Sequence, residues 1–451
     1  MPFVDTDLSQ VIEEGLCISC GACVHADPSL KLVLDERRQI WQPSASGGPE
    51  AAKVCPAIAV DFPWLQARRF PGRKPGAFGV VDQVMLAQSR DLERNLAASS
   101  GGIIKELLRH LLARIDVDGA IVLKHVAGVE FASTLIRDPA DVDQLPGSIY
   151  HNLPKHHVLK LLRDTPGRFV LVGIPCELEG IFNYIYAFAP DLAERVHSTI
   201  GLLCGWQYSH HALRAICEYK GIDFNDLTNV EYRGGGPIGK LRLHTSKASF
   251  AVSRRVDFFY QAAFDRAFNA RRCHLCVNHS NFLADIVVGD AWLPSTVTTR
   301  TGISLVVCRN ETMTAVMREL HSSGCITLTQ CTEAEVVESQ SHRVAMGDFA
   351  YAYAEYLDAQ GRHRPKMTGP NFPYATPASR KEVKHFDEEL NEKQRLIWGR
   401  RYRRLVLRKS TREFGRLSWK YLRWFLVRVL KVKSLFWRRR EIPASQLKGF
   451  R

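Results

Sequence analysis

Short apolar runs alternate with amphipathic segments through the central part of the chain. The runs at 168–176 and 198–205 are rich in apolar residues, which is typical of strands buried on both faces of a sheet. Apolar residues also return at helical spacing after residue 102, at Ile104, Leu107, Leu108, Leu111 and Ile115. This alternation predicts an α/β core (α+β overall) built on a largely parallel or mixed sheet.

Shorter patterned stretches predict the remaining elements of the core. Residues 119–124 and 132–137 predict two short strands, 30–41 predicts a hairpin, and His210–Lys220 predicts a helix. The run at 234–239 matches the dinucleotide-binding pattern G-x-G-x-x-G, but strand-like segments flank it on both sides. We therefore expect a hairpin or bulged loop there and no Rossmann nicotinamide site.

The pattern changes towards the C-terminal end. Residues 360–379 are polar and rich in proline, and Trp398–Arg440 predicts a basic amphipathic helix. From Lys393 to Arg451 there are 20 Lys or Arg and two acidic residues, a net charge of +18, whereas the whole chain carries +14. The rest of the chain is therefore slightly acidic, at −4, so a nucleic-acid footprint over the whole surface is not expected.

The basic segment is expected to act as an attachment site. Its candidate targets are an anionic membrane surface, an acidic partner protein and RNA, of which nucleic acid is the least favoured. The alternative is a helix that packs on the body and presents a solvated basic face.

Composition indicates an ordinary globular protein. The chain has 451 residues, of which 45% are hydrophobic and 24% charged, so two or three domains are expected. Twelve cysteines without a signal peptide indicate a reducing compartment, where metal or redox chemistry explains cysteines better than disulfides do. No apolar run approaches the roughly 20 residues of a membrane span. We expect a cytoplasmic protein, either soluble or peripheral at the inner membrane surface.

Four cysteines have the spacing of an iron–sulfur site. Three form a C-x2-C-x2-C run and the fourth stands directly before a proline: Cys17, Cys20, Cys23 and Cys55. Bacterial-type ferredoxins hold a 4Fe-4S cluster with such a set. Zinc also binds four cysteines, but its usual sequence form is two separated C-x2-C pairs.

The N-terminal motif departs from a two-cluster ferredoxin at one point. Asp27-Pro28 stands where those proteins have a cysteine followed by a proline. Because that cysteine serves the other cluster, its absence leaves one expected cluster in the N-terminal module.

Four further cysteines form a second candidate set. Two lie at the C-terminal ends of predicted strands and two form a C-x2-C pair: Cys176, Cys204, Cys273 and Cys276. Ligands of α/β proteins bind beyond the carboxyl ends of strands, so these thiols could hold a second cluster. The other four have no partner at ligand spacing and are predicted to be core cysteines: Cys217, Cys308, Cys325 and Cys331.

The predicted helix over 103–112 begins after Ser99-Ser100-Gly101-Gly102. Small residues at this point leave the first-turn N–H groups accessible, and helix N-termini with accessible N–H groups bind phosphate. A plain N-cap with a glycine turn is an equally good explanation of the same residues.

Taken in order, these motifs resemble the coenzyme F-420 (deazaflavin) hydrogenase/dehydrogenase beta-subunit family, to which 7-hydroxymethyl chlorophyll a reductase is related. The resemblance extends over about residues 15–310 and includes both cysteine sets. Its other segments are Ser99–Gly102, Gly147–Tyr150, Val172–Cys176, Gly201–Gly205 and Ala284–Trp292.

The resemblance implies an iron–sulfur flavoprotein oxidoreductase that passes electrons between 4Fe-4S clusters and a two-electron partner through FAD. The partner would be a deazaflavin coenzyme or a small organic substrate, with ferredoxin as a candidate redox partner. The second cysteine set would then hold a cluster or cover the flavin. The implied cofactor-binding residues are Ser99, Ser100, Gly101, Gly102, Ser148, Tyr150, Asp285, Gly289 and Asp290. No catalytic residue is assigned. The alternative is a non-catalytic iron–sulfur carrier or interaction protein that docks through its basic tail.

The expected organisation has four parts. A ferredoxin-like 4Fe-4S module spans 1–63, and a basic linker follows it at Arg68–Lys74. A flavin-binding α/β domain spans 76–345, with its two parts meeting near residue 165. An irregular linker over 346–392 and a basic amphipathic helical tail over 393–451 complete the chain.

Overall fold

A mixed eight-stranded sheet forms the centre of the protein in the computed structural model, which describes residues 7–76, 78–236, 238–368 and 378–411. The strands in chain order are β1 (Leu32–Asp35), β2 (Ile40–Pro43), β3 (Ala59–Asp61), β4 (Gln83–Ser89), β5 (Gly119–Ala127), β6 (Glu130–Ile136), β7 (Phe169–Gly173), β8 (Val196–Leu202), β9 (Leu227–Glu231), β10 (Lys240–Thr245), β11 (Ser249–Ser253), β12 (Ile286–Asp290), β13 (Ser304–Cys308), β14 (Ile326–Gln330) and β15 (Lys366–Thr368).

Helices pack on both faces of this sheet. The α-helices of the described residues are, in chain order, α1 (Ser9–Glu13), α2 (Ala22–Ala26), α3 (Pro49–Val54), α4 (Phe62–Arg69), α5 (Leu92–Ala97), α6 (Ile103–Leu112), α7 (His157–Asp164), α8 (Pro175–Phe188), α9 (His211–Lys220), α10 (Phe258–Ala263), α11 (Glu311–Ser322), α12 (Glu333–Ser339), α13 (Ser341–Ala359) and α14 (Arg380–Trp398). Within the described parts of the chain, none of the helices combines the length and the apolar character that a bilayer crossing requires.

The large sheet has the strand order β14-β4-β13-β12-β8-β7-β5-β6. The neighbours β5, β7, β8 and β12 run parallel, and the remaining pairs are antiparallel. The predicted α/β class with a mixed sheet is therefore confirmed. Because parallel strands end at the same edge, the residues that follow β7, β8 and β12 are brought together.

The central strands are apolar on both faces because a core lies on each side. In β7, Phe169 and Leu171 pack with α8, whereas Val170 packs with α6 on the other face. Each fully buried side chain of this size contributes about 1.5–3 kcal/mol to folding. This double burial explains the continuous apolar runs in the sequence.

Two smaller antiparallel arrangements match predicted hairpins. Strands β1 and β2 pair within the N-terminal region, and β9, β10 and β11 form a separate sheet in the order β11-β10-β9. The loop between β9 and β10 contains the glycine-rich run, in which Gly234, Gly235 and Gly236 have positive φ. A strand rather than a helix follows, so the prediction of a hairpin is confirmed.

The N-terminal region continues directly into the body. The predicted linker at Arg68–Lys74 is wrong at its start, because α4 extends to Arg69. Phe62 and Leu65 of α4 lie in the same core cluster as β7 and α8. These buried apolar side chains fix to the body a helix whose last two residues fall in the expected linker.

The predicted irregular linker over 346–392 is also wrong. Helix α13 occupies the beginning of this stretch, β15 pairs with β3, and α14 occupies its end. Tyr353, Leu357 and Val383 join a core cluster with the N-terminal residues around the first cysteines. The helices form despite the polar composition of the sequence between them, because apolar residues recur in each helix at helical spacing and are buried.

Two single-residue predictions need correction. Ile115 lies beyond the end of α6 and is fully exposed, so it does not belong to the apolar face of that helix. Cys325 is exposed, although it was predicted to be a core cysteine. Cys217, Cys308 and Cys331 are buried as expected.

The beginning of the predicted tail packs on the body. Helix α14 ends at Trp398, and a further helical stretch covers 402–411. The Tyr402 hydroxyl is 2.5 Å from His211 Nδ1, and the Tyr402 side chain is buried. Most of the predicted basic helix, residues 412–451, lies outside the described part of the chain.

Candidate functional site

Three cysteines of the first set lie on the segment from Cys17 to Cys23, which is folded tightly against the body, and Cys55 follows α3. Ser19 and Gly21 have positive φ, which turns the chain between the cysteines. A side chain at Gly21 would come within 2.4 Å of His156 Cα. The Ser19 carbonyl also accepts a hydrogen bond from Lys155 N at 3.1 Å. The loop is therefore held by the segment that leads into α7.

Cys17, Cys20, Cys23 and Cys55 line one small apolar cavity, as their spacing predicts. Ser19 N donates to Cys17 Sγ at 3.4 Å, and backbone N–H groups are also directed at the other three sulfurs. Burial raises the pKa of each thiol, to about 12 for Cys17 and about 11 for Cys55. Four buried sulfurs that receive N–H groups fit an iron–sulfur cluster, whose positive irons would stabilise the thiolates.

The second cysteine set comes from three parts of the fold. Cys176 lies in the first turn of α8 after β7, and Cys204 follows β8. Cys273 and Cys276 lie on a short 3-10 helix and just beyond it. The four thiols lie close enough to affect one another. Cys204 and Cys273 raise the pKa of Cys176, and Cys273 raises the pKa of Cys276. The structure thus gathers the four residues that were predicted as a second set.

Three cations and one buried carboxylate, that of Glu179, surround the second set. Burial raises the pKa of all four thiols, and nearby positive charges oppose this rise. The positive charge of Lys155 lowers the pKa of Cys176, that of Arg272 lowers the pKa of Cys276, and that of Arg343 lowers the pKa of Cys204. Gln207 N also donates to Cys273 Sγ at 3.3 Å. Buried thiols beside cations are suited to bind a metal cluster as thiolates.

Within the described residues, no three His, Cys, Asp or Glu side chains are arranged to hold a single metal ion. The fit of both cysteine sets to a cluster rests on donor chemistry: each set has four buried or half-buried cysteines, with N–H groups or cations directed at the sulfurs.

The two cysteine sets are connected through α8 and through a chain of hydrogen bonds. A side chain at Gly180 of α8 would lie 2.7 Å from Cys20 Sγ, and Cys176 is four residues earlier on the same helix. On the other side, Asn152 Oδ1 accepts from Ser19 Oγ at 2.8 Å, and Asn152 Nδ2 donates to Gln207 Oε1 at 3.4 Å. The same Gln207 contacts Cys273 through its backbone.

A cavity of about 670 Å³ opens at the carboxyl ends of β7, β8 and β12. Cys204 lies in its wall, so the cavity adjoins the second cysteine set. Seven of the nine predicted cofactor residues line it: Ser99, Ser100, Gly102, Ser148, Tyr150, Gly289 and Asp290. The Ser148 hydroxyl lies 2.9 Å from Ser99 Oγ, which joins the two serine segments.

The other two predicted cofactor residues have structural contacts. Gly101 donates its N–H to Ser304 Oγ at 2.9 Å. Asp285 precedes β12, at the strand end opposite the cavity, and its carboxylate pairs with Arg69 at 2.6 Å. Thr199 N and Asn310 Nδ2 also donate to it. The prediction that Asp285 binds the cofactor is therefore not supported, because these partners already satisfy its carboxylate.

Most of the charged residues of the cavity wall were not predicted from the sequence. These are Lys105, Lys155, Glu177, Arg233, Arg254, Arg255 and Arg343. Arg233 pairs with Asp290 at 2.7 Å, and Lys155 pairs with Glu177. Arg343 Nε and Nη1 are buried and have no hydrogen-bond partner among the described residues. The excess of cations makes the cavity suitable for an anionic ligand.

No motif in the sequence could have indicated these cations. Arg343 lies near the start of α13, which was predicted as the end of one domain and the beginning of an irregular linker. Lys155 stands in a loop without a recognisable pattern. Only the folded loops bring them to the cavity.

Two family models match the chain, and both describe the beta subunit of "Coenzyme F420 hydrogenase/dehydrogenase". The model of its N-terminal part matches residues 84–160, and the model of its C-terminal part matches residues 167–334. Together these ranges cover more than half of the chain. Both the cavity edge and the second cysteine set fall within them.

Individual relatives are oxidoreductases or their subunits. The chain is 22% identical to one subunit of the "F(420)H(2) dehydrogenase" of Methanosarcina mazei, over 64% of this chain and 79% of that protein. It is 26% identical to "Coenzyme F420 hydrogenase subunit beta" of Methanothermobacter thermautotrophicus, over 54% and 83%. It also matches "Coenzyme F420-dependent sulfite reductase" of Methanocaldococcus jannaschii at 22% identity, over 67% of this chain but only 46% of that protein.

A solved structure to which the chain is similar shares its fold. It is a chain from a study entitled "Xenon derivatization of the F420-reducing NiFe hydrogenase complex from Methanosarcina barkeri", with a TM-score of 0.51 and 19% identity. The match covers 67% of this chain and 99% of that one. The expected resemblance is confirmed by these matches: the chain belongs to the coenzyme F420 hydrogenase/dehydrogenase beta-subunit family.

Proposed function

We propose that the protein is an iron–sulfur flavoprotein oxidoreductase that passes electrons between two 4Fe-4S clusters and a two-electron partner through FAD. The observation that carries the proposal is the position of Cys204. It belongs to the second cysteine set and also lines the large cavity, so a cluster and a cofactor would lie side by side. Clusters exchange single electrons whereas a deazaflavin exchanges a hydride, and bound FAD would supply the chemistry that converts one into the other.

Separate groups of residues would hold the two clusters and the cofactor. Cys17, Cys20, Cys23 and Cys55 would hold the first cluster, and Cys176, Cys204, Cys273 and Cys276 the second. Ser99, Ser100 and Gly102 at the start of α6 would hold a phosphate group of the cofactor. The remaining cations of the cavity wall would attract the negative charge of the cofactor or of its partner.

The relatives support one choice of two-electron partner. Their names refer to F420, so a deazaflavin coenzyme is the favoured partner for this chain. A small organic substrate is the alternative, with ferredoxin as a candidate redox partner. The protein is expected to be cytoplasmic.

The proposal is tested by introducing a negative charge where the phosphate should lie. The Ser99→Asp protein should lose most of its flavin, measured by the absorbance of anaerobically purified protein, because a carboxylate repels the phosphate. Ser246→Asp, in the exposed turn between β10 and β11, is the control and should keep its flavin. Unaltered protein that shows no flavin, even after reconstitution with FAD, would instead favour a non-catalytic iron–sulfur carrier.

A further inference from the structure

One ion pair lies between the two cysteine sites. The Lys155 ammonium pairs with the Glu177 carboxylate, and the two side chains are only 6% and 9% exposed. Glu177 Oε2 also accepts a hydrogen bond from Ile174 N at 2.7 Å, which fixes the carboxylate at the start of α8. The backbone of Lys155 donates to Ser19 in the first cysteine loop. The pair is therefore held by elements of both sites.

The two ends of this pair act on different cysteine sites. The Lys155 ammonium lowers the pKa of three thiols of the second site, those of Cys176, Cys204 and Cys273. The Glu177 carboxylate interacts with Cys20 of the first site. This agrees with the geometry of α8, since Gly180 abuts Cys20 Sγ and Glu177 is three residues earlier on the same helical face.

We propose that the Lys155–Glu177 pair is a fixed dipole that sets the reduction potentials of the two clusters apart. The positive end would raise the potential of the second cluster, and the negative end would lower that of the first. Reduction adds one negative charge to a cluster, so a nearby cation stabilises the reduced form and a nearby anion destabilises it. Burial keeps the pair away from bulk water and strengthens both effects.

The consequence is a direction for electron flow. One electron would pass from a cluster held by the first cysteine set, which would be oxidised, to a cluster held by the second set beside the cavity, which would be reduced. Lys155 and Glu177 act through the clusters and are positioning residues. The inference rests on the proposed function, because it requires a cluster in each cysteine site.

The test is a redox titration of anaerobically purified protein, followed by electron paramagnetic resonance (EPR). Protein with Cys273→Ala and Cys276→Ala retains only the first site and assigns its signal. Lys155→Gln should lower the potential of the second cluster, and Glu177→Gln should raise that of the first. Lys155→Arg keeps the charge and should keep both potentials. Lys220→Gln is the matched control: this lysine also pairs with a carboxylate, that of Asp257, but it lines neither the first cysteine cavity nor the large cavity, and its removal should shift neither potential.

The outcomes separate a failure of this inference from a failure of the proposed function. Unchanged potentials in Lys155→Gln protein that contains full iron overturn the inference and leave the proposed function standing. An unaltered protein without iron overturns both. If Lys155→Gln protein lacks the second cluster, the inference fails unless Glu177→Gln raises the potential of the first cluster and Lys155→Arg retains the wild-type values.

Discussion

The two cysteine sites of this protein are built in opposite ways. The first takes three of its four thiols from one loop of seven residues and has an apolar wall. The second draws its thiols from three distant parts of the chain and is surrounded by three cations, Lys155, Arg272 and Arg343, and by the carboxylate of Glu179. The first is defined by local backbone geometry, whereas the second exists only when the large sheet has folded.

This difference has an electrostatic consequence. An apolar wall offers no compensation for the negative charge that a cluster gains on reduction, whereas a cationic wall does. Arg272 is shared by the two sites, because its positive charge lowers the pKa of Cys55 in the first site as well as that of Cys276 in the second. With three cations against the one carboxylate of Glu179, the second site would be the better electron acceptor if both sites hold the proposed clusters, and it is also the one beside the cavity.

The largest expected effect comes from removing thiols. Protein with Cys273→Ala and Cys276→Ala should lose about half of its iron and keep the cluster of the first site. Cys20→Ala should do the converse and leave the second site occupied. Iron analysis with EPR spectroscopy measures both. Unchanged iron in the double variant would show that the second site holds no cluster, and loss of all iron from both proteins would show that the sites are not independent.

A smaller effect is expected where the first region joins the body. Arg69 at the end of α4 pairs with Asp285, and the two side chains are 11% and 10% exposed. Arg69→Met leaves the carboxylate buried without its cation and should lower the free energy of unfolding by about 3–5 kcal/mol.

The matched control for Arg69 is another arginine pair nearby. Arg73 pairs with Asp82 at 3.1 Å but is 38% exposed, so Arg73→Met should cost less than about 1 kcal/mol. Denaturant unfolding of the two variants measures the difference. Equal stability of both variants would contradict the close attachment of the first region to the body.

A pH effect is expected at the hairpin of the first region. His211 Nε2 donates to the Arg37 carbonyl between β1 and β2 at 2.8 Å, and burial lowers the pKa of His211 to about 4. An unfolded histidine titrates near 6.5, so between these values only the unfolded chain binds the proton and stability falls as the pH falls.

The loss of stability between pH 7 and pH 5 should therefore be about 2 kcal/mol smaller in His211→Gln protein than in the unaltered chain. Thermal or denaturant unfolding at the two pH values is the measurement. An identical pH dependence in the two proteins would show that His211 does not remain neutral in the folded state.

The smallest effect on either cysteine site is expected from the C-terminal tail. A chain that ends at Thr411 keeps Tyr402 and α14, and it should retain its iron and flavin. The removed residues should matter only for attachment, since each basic residue near an anionic membrane contributes about 1 kcal/mol. Sedimentation with anionic and neutral liposomes at low and high salt measures this. Equal sedimentation of the two proteins would rule out the attachment role.

The sequence predicts how the thiols of the first site are grouped, because the short spacing between three of its cysteines determines how the chain turns around them. A C-x2-C-x2-C run with a turn at Gly21 can direct its thiols into one cavity without help from distant segments. The second set was found through the rule that parallel strands end at one edge, which placed Cys176 and Cys204 together. The strand–helix alternation predicted the sheet for the same reason, since β7 and β8 are buried on both faces.

The rest could not be predicted because it depends on contacts between distant segments. Asp285 lies in a family-like motif, but its partner Arg69 is more than 200 residues away. Lys155 and Arg343 reach the second site from loops and helix ends that have no pattern of their own. The α13 helix was hidden by the polar, proline-rich composition that follows it, although Tyr353 and Leu357 are buried.

The most direct test of this account is the metal and flavin content of the full-length protein after anaerobic purification. Iron, zinc and flavin would be measured per chain, together with the absorbance spectrum. The account predicts about eight irons and about one flavin per chain, from one 4Fe-4S cluster in each cysteine set and one occupied cavity. Stoichiometric zinc without iron, or iron without any flavin after reconstitution with FAD, would contradict it.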